Sequence, residues 1–127
     1  MIGYITLGTN DLERAAAFYD ALFGSIGVGR FMASERSVAW SAGPGSPGLS
    51  VCKPFDGQPA TAGNGTMVAL AMDSTDKVDA LHRQALALGA KDEGAPGPRG
   101  AGGYYGAYFR DPDGNKLAAF FVAPPPA

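Results

Sequence analysis

The chain is poor in the residues that most often carry chemistry: it has one histidine, one cysteine and one tryptophan. The lone cysteine, Cys52, excludes an internal disulfide and any metal site built on a cysteine pair. Its expected state is a buried, inert thiol, because cysteine behaves as a small hydrophobe. The lone histidine, His82, falls among helix-forming residues beside Leu81 and Arg83. It reads as a solvated or partly buried helical residue, and it offers no Ser-His-Asp grouping that the sequence can single out. Basic stretches are also missing. Lys and Arg number 10 against 12 Asp and Glu, a formal net charge of −2, so the electrostatic footprint that nucleic-acid binding needs is not there. No apolar run approaches the ~18 residues of a membrane span. The opening Met1-Ile2-Gly3-Tyr4-Ile5-Thr6-Leu7 has no basic segment leading into a secretory core, so a soluble, cytoplasmic protein is expected.

What the chain does have is enough for one compact domain. It has 127 residues, 46% hydrophobic and only 17% charged, which is the composition of a globular protein rather than a disordered one. Ile2 to Leu7 reads as a strand, and Thr9-Asn10-Asp11 supplies turn and cap chemistry. Leu12, Ala15, Ala16, Phe18, Tyr19, Leu22 and Phe23 then recur at helical spacing until Gly24 and Gly27. Three short strand-like pieces follow, Gly29 to Ala33, Ser37 to Ser41 and Leu49 to Lys53, separated by turn residues such as Gly43 to Gly48. The Pro/Gly/Ala/Thr-rich stretch from Pro54 to Gly65 lacks periodicity and reads as a linker.

The second half repeats the programme. Thr66 to Ala71 is strand-like, Asp73-Ser74-Thr75 caps a helix, and Val78, Leu81, Ala85, Leu86 and Leu88 mark its buried stripe before Gly89. A flexible stretch is expected from Glu93 to Gly103, with Gly94 to Gly103 either a mobile loop or a lid. Tyr104 to Arg110 and Lys116 to Val122 read as strands around the turn Asp111-Pro112-Asp113-Gly114-Asn115, and the tail Pro124-Pro125-Pro126 cannot extend a ladder. Setting Tyr4 on Met67 brings Thr9 onto Met72, Phe18 onto Leu81 and Phe23 onto Leu86, as an internal duplication requires. The expected fold class is α+β, with two β-α-β-β-β modules in a single domain. Residues 1–54 form the first module, 55–65 the linker, 66–123 the second module and 124–127 the tail.

Two segments carry a resemblance. The first runs from Met1 through Asp11-Leu12-Glu13-Arg14-Ala15-Ala16-Ala17-Phe18-Tyr19-Asp20, and the second is Tyr105-Gly106-Ala107-Tyr108-Phe109-Arg110-Asp111-Pro112-Asp113-Gly114-Asn115-Lys116-Leu117. Together they resemble the glyoxalase/bleomycin resistance/dioxygenase family of the vicinal oxygen chelate superfamily. The resemblance implies paired modules whose sheets curl around a shared cleft, where His and Glu hold a divalent ion that acts as a Lewis acid on substrate oxygens. It also implies where those ligands stand. Tyr4 and Met67 occupy the positions where the family commonly has His, Ala118 the position of a Glu, and Ser50 the remaining place. These side chains are poor metal ligands, so no metal is expected.

The cleft that the resemblance implies would be lined by Tyr4, Trp40, Ser50, Met67, Tyr104, Tyr105, Tyr108 and Ala118, walls suited to an uncharged or aromatic ligand. Tyr4 and Met67 either line it or fill it as core residues. The leading expectation is a small-molecule binding protein that works without metal. Two rivals stand beside it: a lyase, isomerase or dioxygenase with a divalent metal ion at an atypical site, and a non-catalytic homodimeric scaffold. A homodimer is implied by the family alone. Neither nucleic acid nor membrane is expected as a partner.

Overall fold

In a computed structural model, residues 1–125 are described. The elements run β1 (Tyr4–Gly8), α1 (Leu12–Gly24), β2 (Gly29–Ala33), β3 (Ser37–Ser41), β4 (Gly48–Cys52), β5 (Val68–Ala71), α2 (Thr75–Ala87), β6 (Lys91–Pro98), β7 (Tyr104–Arg110) and β8 (Lys116–Val122). The fold is α+β. Two four-stranded mixed sheets form, ordered β1-β4-β3-β2 and β5-β8-β7-β6, each of them a β-α-β-β-β unit. In both, the first strand pairs parallel with the last, and the helix makes the crossover.

The duplication holds in register through the first strand and helix of each module. The shift that sets Tyr4 on Met67 carries Leu12 and Gly24, the ends of α1, onto Thr75 and Ala87, the ends of α2. It also carries one N-cap onto the other. The Asp11 side chain accepts from the Arg14 N–H, and the Ser74 side chain accepts from the Lys77 N–H, each satisfying a donor that the first helical turn leaves free. Past the helix ends, Gly27 and Gly89 take φ of 77° and 98°, a region that a side chain makes costly.

Each helix covers one face of its own sheet. Phe18, Tyr19, Leu22 and Phe23 of α1 pack on Val38, Trp40, Leu49 and Val51, while Val78, Leu81 and Ala85 of α2 pack on Ala107, Phe109, Leu117 and Ala119. Fully burying one such large apolar side chain contributes about 1.5–3 kcal/mol. Within the described residues no strand of one sheet packs against a strand of the other, and the elements that meet across the modules are α1 and α2.

The rest of the junction is polar and centres on the turn between β7 and β8. Tyr19 Oη donates to Asp111 Oδ2 at 2.6 Å, Asn115 Nδ2 donates to the Gly8 carbonyl at 2.9 Å, and the Asn10 N–H donates to Asp113 Oδ1 at 2.9 Å. The linker is pinned from the same place. Asn10 exchanges two hydrogen bonds with the backbone of Ala60.

Three expectations change here. The stretch from Glu93 is not a flexible loop, because β6 runs to Pro98 and pairs with β7. Pro96 is accommodated since β6 is an edge strand whose register shifts between Asp92 and Gly94 and again between Gly94 and Gly97, the setting in which a strand tolerates proline. Cys52 is only partly buried rather than a core thiol. β4 begins at Gly48, one residue earlier than read from the sequence. Of the tail, Pro126 and Ala127 lie outside the described residues.

Candidate functional site

Side chains alternate across a strand, so burying one face of each sheet under a helix leaves the intervening residues on the other. On the first sheet that other face carries Tyr4 and Thr6 of β1, Ser37 and Ala39 of β3, Ser50 and Cys52 of β4, and Phe31 and Met32 of β2, around a hollow of about 280 Å³. It is open. Tyr4 is 71% exposed and Phe31 60%. At its floor the hydroxyls of Thr6 and Ser50 lie 2.9 Å apart in a hydrogen bond, directly across the β1–β4 register. Neither a carboxylate nor a cationic group stands among these eight residues.

The corresponding face of the second sheet is differently furnished. Ala107, Phe109, Leu117 and Ala119 point to α2, so Tyr104, Gly106, Tyr108, Lys116, Ala118 and Phe120 point away from it. Aromatic rings lie along this face. Tyr104 stacks on Phe120 with centroids 5.5 Å apart and planes 5° from parallel. A Cβ built on Gly106 would stand 2.6 Å from the Tyr104 ring, and one on Gly94 would stand 2.9 Å from the Tyr108 ring. Glycine is therefore what lets both rings settle against the backbone. Two cations flank Tyr108: the Arg99 guanidinium carbon lies 5.4 Å and Lys116 Nζ 5.3 Å from its ring centroid. Burial raises the Tyr104 phenol above its ordinary pKa, and the neighbouring Tyr108 adds to this while Arg99 opposes it.

The duplication matches the two faces position for position. Thr6 pairs with Ser50, and its repeat mate Ala69 pairs with Ala118. Ser50 and Ala118 are thus equivalent, as are Tyr4 and Met67. Met67 lies just before β5 and is 41% exposed, and Ala118 is fully buried opposite Tyr108. In the single chain Tyr4 and Met67 leave their faces open instead of filling them.

Two of the residues expected in the cleft are elsewhere. Trp40, 1% exposed, points to α1, packs on Tyr19 and Phe23, and donates its indole N–H to Asp20 at 2.9 Å. Tyr105 points to α2, where its hydroxyl donates to Asp79 at 2.7 Å. That bond, then burial, raises its pKa. Both belong to the helix-covered side because they share strand parity with core residues. His82 is buried, with Nε2 3.1 Å from Asp92 Oδ1. Asp92 is held below the usual carboxylate range by the Gly94 N–H and then by His82.

The sequence model of the Glyoxalase/Bleomycin resistance protein/Dioxygenase superfamily matches residues 1–119. The chain belongs to that superfamily. Among solved structures, a glyoxalase/bleomycin resistance protein from Albidiferax ferrireducens T118 is 37% identical over 97% of this chain and 99% of that one, with a TM-score of 0.87. Lactoylglutathione lyase from Agrobacterium tumefaciens is 24% identical over 95% of this chain and 92% of its own, at a TM-score of 0.72. The genomically encoded fosfomycin resistance protein from Listeria monocytogenes is 19% identical over 97% and 93%, at 0.73. The last two likenesses establish the fold alone. No curated protein matches the chain.

A superfamily fold raises the question of a metal, and the residues answer it poorly. The four equivalent positions present a phenol, a hydroxyl already bonded to Thr6, a thioether and a methyl group, where a divalent ion selects imidazole and carboxylate. Among the described residues no group of three or more His, Cys, Asp and Glu side chains is placed to hold a metal ion. The donor set does not fit.

Proposed function

We propose that this superfamily member binds a small organic molecule without metal chemistry, in a cleft that two copies of the chain build together. The observation that carries the reading is that a helix covers only one face of each sheet. Tyr4, Phe31 and Met32 are exposed on the other face of the first sheet, and contiguous exposed apolar groups of this kind mark a site of interaction. Among the described residues nothing closes that face, because the modules meet through their helices and the turn between β7 and β8. A second copy related by a twofold axis closes it. Its second sheet opposes the first sheet, and the symmetry repeats the arrangement, giving two identical clefts.

Such a cleft joins neutral hydroxyls from Thr6, Ser37 and Ser50 to the aromatic pavement of Tyr104, Tyr108 and Phe120. Apolar walls with a few placed polar groups suit an organic ligand. The chemistry available is orientation and hydrogen bonding. Thermal unfolding of chelator-treated protein against a panel of aromatic compounds tests the reading, since a ligand that binds only the native state raises the melting temperature. The expected result is a dose-dependent rise without added metal. A rise that appears only when a divalent metal is restored favours an atypical metalloenzyme, and uniform silence from a folded protein favours a non-catalytic scaffold.

A further inference from the structure

The two faces differ in charge, and that difference narrows the ligand. Of the basic side chains near the second face, Arg110 is matched by Glu93 at 2.7 Å. Lys116 Nζ has no carboxylate within ion-pair distance among the described residues and lies over the Tyr108 ring instead. Among the described residues the Arg99 guanidinium donates only to backbone carbonyls, those of Pro98 and Ala95 at 3.2 and 2.7 Å. Two positive charges with no direct ion pair among the described residues therefore stand beside one tyrosine, Lys116 feeling Glu93 only at longer range, on a chain whose formal net charge is −2. The first-sheet residues that a second copy would bring opposite them include no carboxylate.

Walls of low polarity strengthen the field of an unpaired charge and draw in a ligand of opposite sign. Beside these cations lies the partly buried Tyr104–Phe120 stack, against which a further planar ring is favoured. We infer that the cleft takes a planar organic anion, an aromatic or conjugated carboxylate, with its ring against the Tyr104–Phe120 pair and its carboxylate drawn to Lys116 and Arg99. This rests on the binding function proposed above and specifies the charge and shape of what is bound.

The inference is tested by isothermal titration of the dimeric protein with 2-naphthoate and with 2-naphthamide, a neutral molecule of the same outline. Naphthoate is expected to bind at least about tenfold more tightly, the effect of a charge-assisted contact. Lys116→Met removes the charge while keeping the length of a partly exposed side chain, and is expected to bring the two affinities within about twofold. Lys116→Arg keeps the charge and is expected to preserve the preference. Equal binding of the two probes by the unaltered protein, or an undiminished preference in Lys116→Met, overturns the inference and leaves the small-molecule reading standing. Failure of both probes to bind overturns the inference, and the small-molecule reading falls with it only if the wider aromatic panel is also silent.

Discussion

Tyr19 Oη lies 2.6 Å from Asp111 Oδ2, and this buried bond ties the helix of the first module to the turn of the second. Burial and then the Asp111 charge raise the Tyr19 phenol well above its ordinary pKa, so it stays a proton donor across the working range. Asp111 also accepts from Asn115 Nδ2 at 3.0 Å, and Asn115 reaches Gly8 of β1. One polar knot holds the modules in register.

Tyr19→Phe removes the donor and leaves the Asp111 carboxylate short of a partner in a buried site. The expected cost is about 2 kcal/mol, a fall in melting temperature on the order of 5–10 °C for a domain of this size. Calorimetry checks it, and an unchanged melting temperature refutes the role.

Asp20 joins two elements, accepting from Trp40 and pairing with Arg30 at 2.7 Å. The Arg30 bond first, and the Trp40 bond after it, lower its pKa against an opposing desolvation. A depressed folded-state pKa contributes stability that is present above the unfolded value of about 4 and is lost as pH falls through the folded value. The pair is half exposed, so Asp20→Asn should cost only about 1 kcal/mol at neutral pH. The difference between variant and parent should shrink below about pH 4, as followed by urea unfolding at several pH values.

Gly106→Ala brings a methyl group to the position now crossed by the Tyr104 ring, 2.6 Å away. The ring must leave Phe120. Overpacking of this kind costs about 1–3 kcal/mol, and the variant should also bind aromatic ligands several-fold more weakly. Gly102→Ala, where nothing stands within 4 Å, is the control.

Tyr4→Asp places a charge in the middle of the open apolar face. The chain should still fold, because Tyr4 is exposed and lies outside the helix-packed core. Sedimentation should show the parent as a dimer and the variant as a monomer. A dimer that persists unchanged means that the copies do not pair through this face.

Much of the fold is legible in the sequence because the duplication is carried by helix periodicity and capping. Asp11 and Ser74 announce α1 and α2 at equivalent places, and the turn Asp111 to Asn115 announces the last hairpin. The direction of Trp40 and Tyr105 was legible too, but only through strand parity: Trp40 alternates in step with Val38, and Tyr105 with Ala107 and Phe109. Aromatic character alone pointed the wrong way. β6 was hidden because Gly94, Pro96, Gly97 and Pro98 are poor strand formers, and pairing with β7 overrides their local preference. The cluster of Arg99 and Lys116 about Tyr108 could not be read at all. It exists only once β6, β7 and β8 are aligned, since the three residues come from a turn and two strands.

The most direct test of the central claim is a metal titration of the chelator-treated protein with Ni²⁺, Zn²⁺, Mn²⁺ and Fe²⁺, followed by calorimetry and by elemental analysis after gel filtration. With a phenol, an occupied hydroxyl, a thioether and a methyl group at Tyr4, Ser50, Met67 and Ala118, no ion should be retained in one-to-one proportion to the chain. Tight, saturable uptake of one ion per chain, weakened by Tyr4→Phe or Ser50→Ala, would contradict it.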